Sequence, residues 1–230
     1  MLINLRNALM AGKKRVTFIE WLASDGTGYV DLQYAPIDPE TRMLITASTS
    51  TAASRYAPLV CSGMNTAIND VSKPSFGFAS LSDDRQMYLK SARQHWWNMT
   101  ANSGNWNDGN FHSIDIGQSG ATSSTCSVDG LSISMQRITN STAGSMPTDT
   151  QTVFASKYNG KYYLKNSKFK VARIAYEVGG VIVHDFVAAK VGETCGFYDI
   201  TTSKFIAGTG AFTYGNDLKY PIPSERKDTP

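Results

Sequence analysis

From residue 16 onward the chain alternates apolar and polar positions with the period of strands rather than helices. "VTFIEWLAS" is rich in β-branched and aromatic residues and stops at "DGTG". "YVDLQY" resumes the extended pattern and breaks at "APIDPE", where prolines forbid a regular ladder. "RMLITAST" sets Met43, Ile45 and Ala47 against Arg42, Leu44 and Thr46. Further extended candidates are "PLVCSG", "SFGFASL" and "QMYLKSA", followed by the polar loop "NMTANSGNWNDGN".

Hairpins are legible where turn residues interrupt this pattern. In "SSTCSVDGLSISMQ", a turn at Asp129-Gly130 pairs Val128 with Leu131, Cys126 with Ile133 and Ser124 with Met135. Most of the apolar residues then share one face, and a slip of one residue would destroy that arrangement. Cys126 is a core thiol on this reading. After the loop "NSTAGSMPTDTQ", "KFKVARIAYEVGGVIVHDFVAA" turns at Gly179-Gly180. That turn pairs Val178 with Val181 and Tyr176 with Val183, and leaves Arg173, Ala175, Glu177, Ile182 and His184 on the opposite face. A last hairpin joins Phe197-Tyr198 to Lys204-Phe205-Ile206 through "DITTS".

About a dozen short strands with regular turn signals predict an all-β fold, a β-sandwich of jelly-roll type built from two antiparallel sheets. The N-terminus "MLINLRNALMAGKKR" differs. Leu2, Leu5 and Leu9 fall near helical spacing and Gly12 is placed as a stop. A helix this short is marginal alone, since fewer than about 12–15 residues rarely hold in water. It is therefore expected to gain order by docking, on its own domain or on a partner, with Leu2, Leu5 and Leu9 as the candidate partner-docking residues. The predicted organisation is an N-terminal docking arm over 1–15, one sandwich over 16–218 and a proline-rich polar tail over 219–230.

Composition narrows the function. The 230 residues carry a net charge of +3, and the basic residues are scattered apart from Lys13-Lys14-Arg15, so the footprint of a nucleic-acid binder is missing. Cys61, Cys126 and Cys195 lie far apart without metal-binding spacing and are expected as buried, reduced thiols. No apolar run approaches the roughly 18 residues of a membrane span. The basic cluster follows the N-terminal apolar residues instead of preceding them, which is not the order of a secretory signal. The expectation is synthesis in a cytosol without signal-directed export.

Three blocks carry a family resemblance. "FIEWLASDGTGYVDLQYAPIDPETRMLITAS" resembles the opening of concanavalin A-like (LamG-like) lectin/glucanase domains of gut bacteria and their phages. "NFHSIDIG" and "TCSVDGL" resemble the family's "W-H" strand and following hairpin. "FKVARIAYEVGGVIVHDFVAAKVGETCGFYDITTSKFIAGTGAFTYG" resembles its closing block. The departures are Ala188-Ala189 in place of a proline-containing run and Thr202-Ser203 in place of Thr-Gly, both read as turn or edge changes. The resemblance implies a concanavalin A-like jelly roll. It also implies that the closing glycines, Gly208 and Gly210, bring the last strand against the first.

Chemistry is thin on this scaffold. Glucanases of this kind carry carboxylates on alternate positions of one strand, and a retaining pair stands about 5–5.5 Å apart. None of Glu20, Glu40, Glu177, Glu193 and Glu225 is followed by a carboxylate at the second or fourth position after it, and no GxSxG motif occurs. Non-enzymatic function is expected, and His112 reads as a half-buried structural residue. Calcium occurs in LamG-like domains. Asp108, Asp129 and nearby carbonyls are conceivable oxygen donors, but the spacing is not that of a calcium loop, so no metal or other cofactor is assigned.

The candidate binding segment is "YLKSARQHWWNMTANSGNWNDGN". Tyr88, His95, Trp96, Trp97 and Trp106 lie beside Asn107 and Asp108, a composition suited to stacking sugar rings and bonding their hydroxyls. The expected function is an attachment module of a phage virion, as a tail or head fibre or decoration protein. Its expected partners are a capsid or tail protein, a cell-surface glycan and copies of itself, with a trimer favoured. The alternatives are a bacterial secreted or surface carbohydrate-binding protein and, ranked below it, a glycoside hydrolase with an atypical site.

Overall fold

The computed structural model describes residues 15–37, 40–48, 57–63, 76–80, 87–90, 96–99, 108–119, 123–133, 135–137, 146–163 and 169–219. The expected N-terminal helix with Leu2, Leu5 and Leu9, and residues 220–230 of the expected tail, lie outside them. In chain order the strands are β1 (Val16–Ile19), β2 (Leu22–Ser24), β3 (Val30–Asp31), β4 (Arg42–Ser48), β5 (Ala57–Ser62), β6 (Phe76–Ser80) and β7 (Met87–Lys90). They continue as β8 (Trp96–Met99), β9 (Phe111–Ser119), β10 (Ser123–Val128), β11 (Leu131–Ser132), β12 (Met135–Arg137), β13 (Thr152–Val153) and β14 (Ser156–Tyr158). The last are β15 (Lys161–Tyr163), β16 (Lys170–Val178), β17 (Val181–Val191), β18 (Thr194–Asp199), β19 (Lys204–Ala207), β20 (Phe212–Tyr214) and β21 (Asp217–Leu218). No helix occurs among the described residues, so none there is long and apolar enough to cross a membrane.

Two large sheets result. The first has 12 strands along the path β11-β10-β9-β4-β16-β17-β1-β21, with β18–β19 attached to β17 and β2–β20 to β16. The second has nine along β12-β8-β7-β6-β5-β13-β3, with β14–β15 attached to β5. The described pairings are antiparallel except for β14 on β5. Met43, Ile45, Ile114, Ile174 and Phe186 of the first sheet share one buried cluster with Val60, Phe76, Phe78 and Val153 of the second. The architecture is all-β and β-sandwich-like. Alternation in β4 is as expected: Met43, Ile45 and Ala47 are buried while Arg42, Leu44 and Thr46 are only partly so.

The β10–β11 turn forms as expected, with Asp129 and Gly130 both in the left-handed region at φ 51° and 79°. Val128 pairs with Leu131, and the Ile133 amide donates to the Cys126 carbonyl. The expected pairing of Ser124 with Met135 is overturned, because the chain crosses to the second sheet and Met135 pairs with Met99. Leu131 also departs from the expected core face: it is 74% exposed while Val128 opposite is 6%. The two-residue β11 ends the path of its sheet, so Leu131 lies at an edge.

The β16–β17 hairpin also corrects its expected register. Val178 pairs with Val181 and Glu177 with Ile182, but a bulge then sets Tyr176 opposite His184 instead of Val183. In the regular register Asp185 would stand opposite Ile174, on the core face. The extra residue moves Phe186 into that place and turns Asp185 to the other face, where Arg173 grips its carboxylate with bonds of 2.6 and 2.7 Å. His184 accordingly joins Tyr176 on the inner face.

The β18–β19 hairpin forms as expected, and its register pairs Phe197 with Ile206 and Tyr198 with Phe205. Beyond it Thr209 bridges to Tyr29, and a Cβ on Gly210 would stand 2.7 Å from the Cα of Gly28. β20 and β21 then pair with β2 and β1, so the glycine-rich exit brings the end of the chain against its opening strands. Ala188-Ala189, read from sequence as an edge or turn change, lie inside β17. Ala189 pairs with Phe18 on one side and Gly196 on the other, a position where proline would remove a ladder donor.

Two features escaped the sequence reading. Residues 156–163 form a hairpin, β14–β15, around Asn159-Gly160, whose amides donate to the Asp149 carboxylate at 2.7 and 3.1 Å. Between the layers, the fully buried Tyr176 donates its hydroxyl to Gln151 Oε1 at 3.4 Å, and the Gln151 amide donates to the Phe76 carbonyl at 3.3 Å and to the Ser62 hydroxyl. Gln151 thus ties β16 of one sheet to β5 and β6 of the other.

Candidate functional site

The structure places the sequence candidates unevenly. Tyr88 lies on β7, and Trp96 and Trp97 lie on the adjacent β8, with Tyr88 opposite Asn98 and Leu89 opposite Trp97. His95, Trp106 and Asn107 lie outside the described residues. Asp108 is described, and it belongs to a cluster centred on His112.

β9 builds that cluster. Its alternation sends His112, Ile114 and Ile116 to one face, where they stand opposite Ala47, Ile45 and Met43 of β4. Ile114 and Ile116 enter the core, and His112 occupies the rim, its side chain 12% exposed. The imidazole Nδ1 lies 2.7 Å from Asp129 Oδ2, in the β10–β11 turn, and Nε2 lies 3.0 Å from Asp108 Oδ1, just before the strand. Both carboxylates are themselves held. Asp129 Oδ1 accepts the Ser113 amide at 2.8 Å, and Asp108 accepts the backbone and side-chain amides of Asn110 at 2.8 and 2.9 Å. The Ser48 hydroxyl donates to the Gly109 carbonyl at 2.7 Å, pinning the same bend to β4.

The electrostatics follow. The hydrogen bond from His112, then those from Asn110, hold the Asp108 carboxyl down at about 2. Burial opposes the charge on Asp129, but His112 and the Ser113 amide outweigh it and lower its pKa. Burial likewise opposes the imidazolium, and the bonds to Asp129 and Asp108 overcome it and raise the His112 pKa. Both ring nitrogens face carboxylates of the scaffold, so the ring is held between the bend and the turn.

A second cluster lies on the outer face of the first sheet. Arg42 of β4 donates through Nε at 2.6 Å and through Nη2 to the Asp115 carboxylate of β9, and through Nη1 at 3.2 Å to Glu177 of β16. The sequence reading seeks paired carboxylates along one strand, whereas the fold brings two together from β9 and β16 on either side of Arg42 in β4. Arg42 and Asp115 border a shallow open depression with Thr125, Ser127 and Ser132. One guanidinium spans the two carboxylates, an ion-pair lattice rather than an acid and a nucleophile facing a gap. Cys126 borders the same depression, and burial, then the charge of Asp115, pushes its thiol up to about 12. It is no nucleophile. All three cysteines are buried and form no disulfide.

The third histidine on the sequence map, His184, stacks on Phe186 at 5.4 Å between ring centroids and donates through Nδ1 to Asp199 at 2.7 Å. Asp199 is 2% exposed and also accepts the Asp185 and Thr201 amides and the Thr202 hydroxyl. Burial opposes its charge, yet these donors lower its pKa, His184 foremost. The carboxylate organises the β18–β19 turn. Among the described residues no group of three or more His, Cys, Asp or Glu side chains is arranged to hold a metal ion. No protein-family model matches the chain, and no curated protein matches it in sequence.

Proposed function

We propose that the chain is a non-enzymatic attachment module of concanavalin A-like jelly-roll type. It is carried on a phage virion as a tail or head fibre or decoration protein, and binds a host surface glycan. The observation that carries the reading is the contrast between the described charged groups and the candidate binding segment. Arg42, Asp115, Glu177, Arg173, Asp185, His112 and Asp199 are consumed in ion pairs and turns within the scaffold. The segment with Tyr88, His95, Trp96, Trp97, Trp106, Asn107 and Asp108 holds three of the chain's four tryptophans. The closing-block resemblance supports the fold family, and the occurrence of that family in gut bacteria and their phages supports the virion context. The segment over 1–15, with Leu2, Leu5 and Leu9, docks the module on capsid or tail protein, and the assembled module is a trimer.

The test is a glycan array probed with the full chain, followed by titration calorimetry of any hit against Trp106→Ala. The expected result is sugar binding that falls about tenfold or more when one stacking ring is removed. Binding unchanged in Trp106→Ala and in Trp97→Ala would remove the segment from the site, and an array without hits would leave a purely structural decoration protein. Detection of the chain in purified virions supports the virion role. Recovery from a bacterial surface instead would favour the secreted carbohydrate-binding alternative.

A further inference from the structure

We infer that His112 is a proton-dependent clasp. As an imidazolium it ties the Asp108–Asn110 bend to the Asp129–Gly130 turn, and as a neutral ring it lets the bend go. The argument is one of donors. Both ring nitrogens stand at hydrogen-bond distance from carboxylate oxygens, 2.7 Å to Asp129 and 3.0 Å to Asp108. A neutral imidazole carries one N–H and one lone pair, so it can bond one carboxylate and must turn a lone pair on the other. Only the doubly protonated ring satisfies the geometry.

The bond lost on deprotonation is the one to Asp108. Asp129 keeps the shorter contact and is fixed independently, because its other oxygen accepts the Ser113 amide and its own amide donates to the Ser113 carbonyl at 2.8 Å. Asp108 is otherwise bound to Asn110 of its own bend, leaving Ser48 on Gly109 as the other tie between that bend and the sheet. The titratable groups facing the ring among the described residues are these two aspartates. β4, packed alongside β9, presents Ala47 opposite His112 with Thr46 and Ser48 beside it, and β10 contributes Val128. None of these carries a charge.

The sign follows from linkage. A histidine whose folded pKa is raised contributes stability fully present below its unfolded value of about 6.5 and lost as pH rises through the folded value. The aspartates act oppositely, and their contribution is lost as pH falls through their depressed pKa values. The clasp is closed between those limits and opens on the alkaline side. It rests on the Asp108–Asn110 bend, β9 and the β10–β11 turn, and Asp108 is the one residue it shares with the proposed sugar site.

Nitrogen–proton correlation spectra of the imidazole rings of the full chain, taken from about pH 5 to about pH 9, test it directly. The expected spectrum shows both His112 nitrogens protonated at pH 6.5 or so, a midpoint above that of a model histidine, and a midpoint lowered in both Asp108→Asn and Asp129→Asn. Overhauser contacts between the His112 ring and the Asp108 β-protons should be present below the midpoint and lost above it. A singly protonated ring at mildly acid pH overturns the inference, as does a midpoint that moves in one variant alone. Overhauser contacts that persist through the titration would make the pair a static bridge and overturn it equally. The wild-type titration needs no substitution, so a variant that fails to fold does not block the test.

Discussion

The β10–β11 hairpin turns on Asp129-Gly130 and the β16–β17 hairpin on Gly179-Gly180, with all four residues at positive φ. The first ends after two residues of β11 and sends the chain into the other sheet. The second runs on for 9 and 11 residues and shifts register near its tip. Each also meets a histidine–aspartate pair, arranged differently. Asp129, in the first turn, is exposed and shares His112 with Asp108, whereas Asp199 is buried and serves four donors, His184 among them. The same turn chemistry thus specifies a reversal and nothing more. How far the ladder continues depends on what lies over each face, and whether a histidine ring meets one carboxylate or two depends on which turns the sheets bring beside it.

The comparison can be broken most forcefully at Val128. Val128→Asp places an unpaired charge in the core and should cost about 3–5 kcal/mol, read as loss of the folded state or a large drop in denaturant midpoint. Wild-type stability would mean that this face of β10 is not buried. Next, Asp199→Ala removes four hydrogen bonds, two from His184 and Asp185 of β17 and two within the β18–β19 turn, a loss of about 3 kcal/mol. Because the folded pKa of Asp199 is lowered, the difference between wild type and variant should be full above the ordinary aspartate range and vanish as pH falls through the depressed value. A difference independent of pH would locate the loss in packing.

Smaller effects sharpen the same contrast. Ser203 holds φ 57° in the β18–β19 turn, where the resembled family has glycine, and Ser203→Gly should raise stability by up to about 1 kcal/mol. A destabilised variant would show that the serine side chain contributes more than its backbone strain costs. Leu131→Asp, at the cross-strand partner of Val128, should change stability by less than about 0.5 kcal/mol, because that side chain is 74% exposed. Equal losses at Val128 and Leu131 would restore the symmetric core face that alternation alone suggests.

Much of the framework was legible because the signals are local. Turn glycines, the alternation of "RMLITAST" and the reversal at "DITTS" need only neighbouring residues to be read. The β14–β15 hairpin carries an equally plain signal, Asn159-Gly160 between tyrosine-bearing segments, in a stretch over 152–167 to which the sequence reading assigns no element. The bulge at Val183 has a subtler trace: a regular register would aim Asp185 into the core, and a buried carboxylate should have argued against it. The Asp108–His112–Asp129 cluster was named in pieces, His112 as half-buried and the aspartates as oxygen donors. Nothing along the chain joins a residue before β9 to one in the next hairpin. Arg42, Asp115 and Glu177 escaped for the same reason, since the search for paired carboxylates ran along strands and the fold pairs charges across them.

By itself the sequence determined where the chain extends, where it reverses and which residue types each strand offers to either side. These follow from backbone sterics, turn chemistry and a side-chain period of two, all of which act over a few residues. Only the tertiary structure decided which strands meet, where the chain leaves one sheet for the other, and which carboxylate each basic side chain finds. Those choices are set by long-range burial: a core closed by two sheets rewards any bulge or crossing that keeps charge out, and no local pattern records that gain.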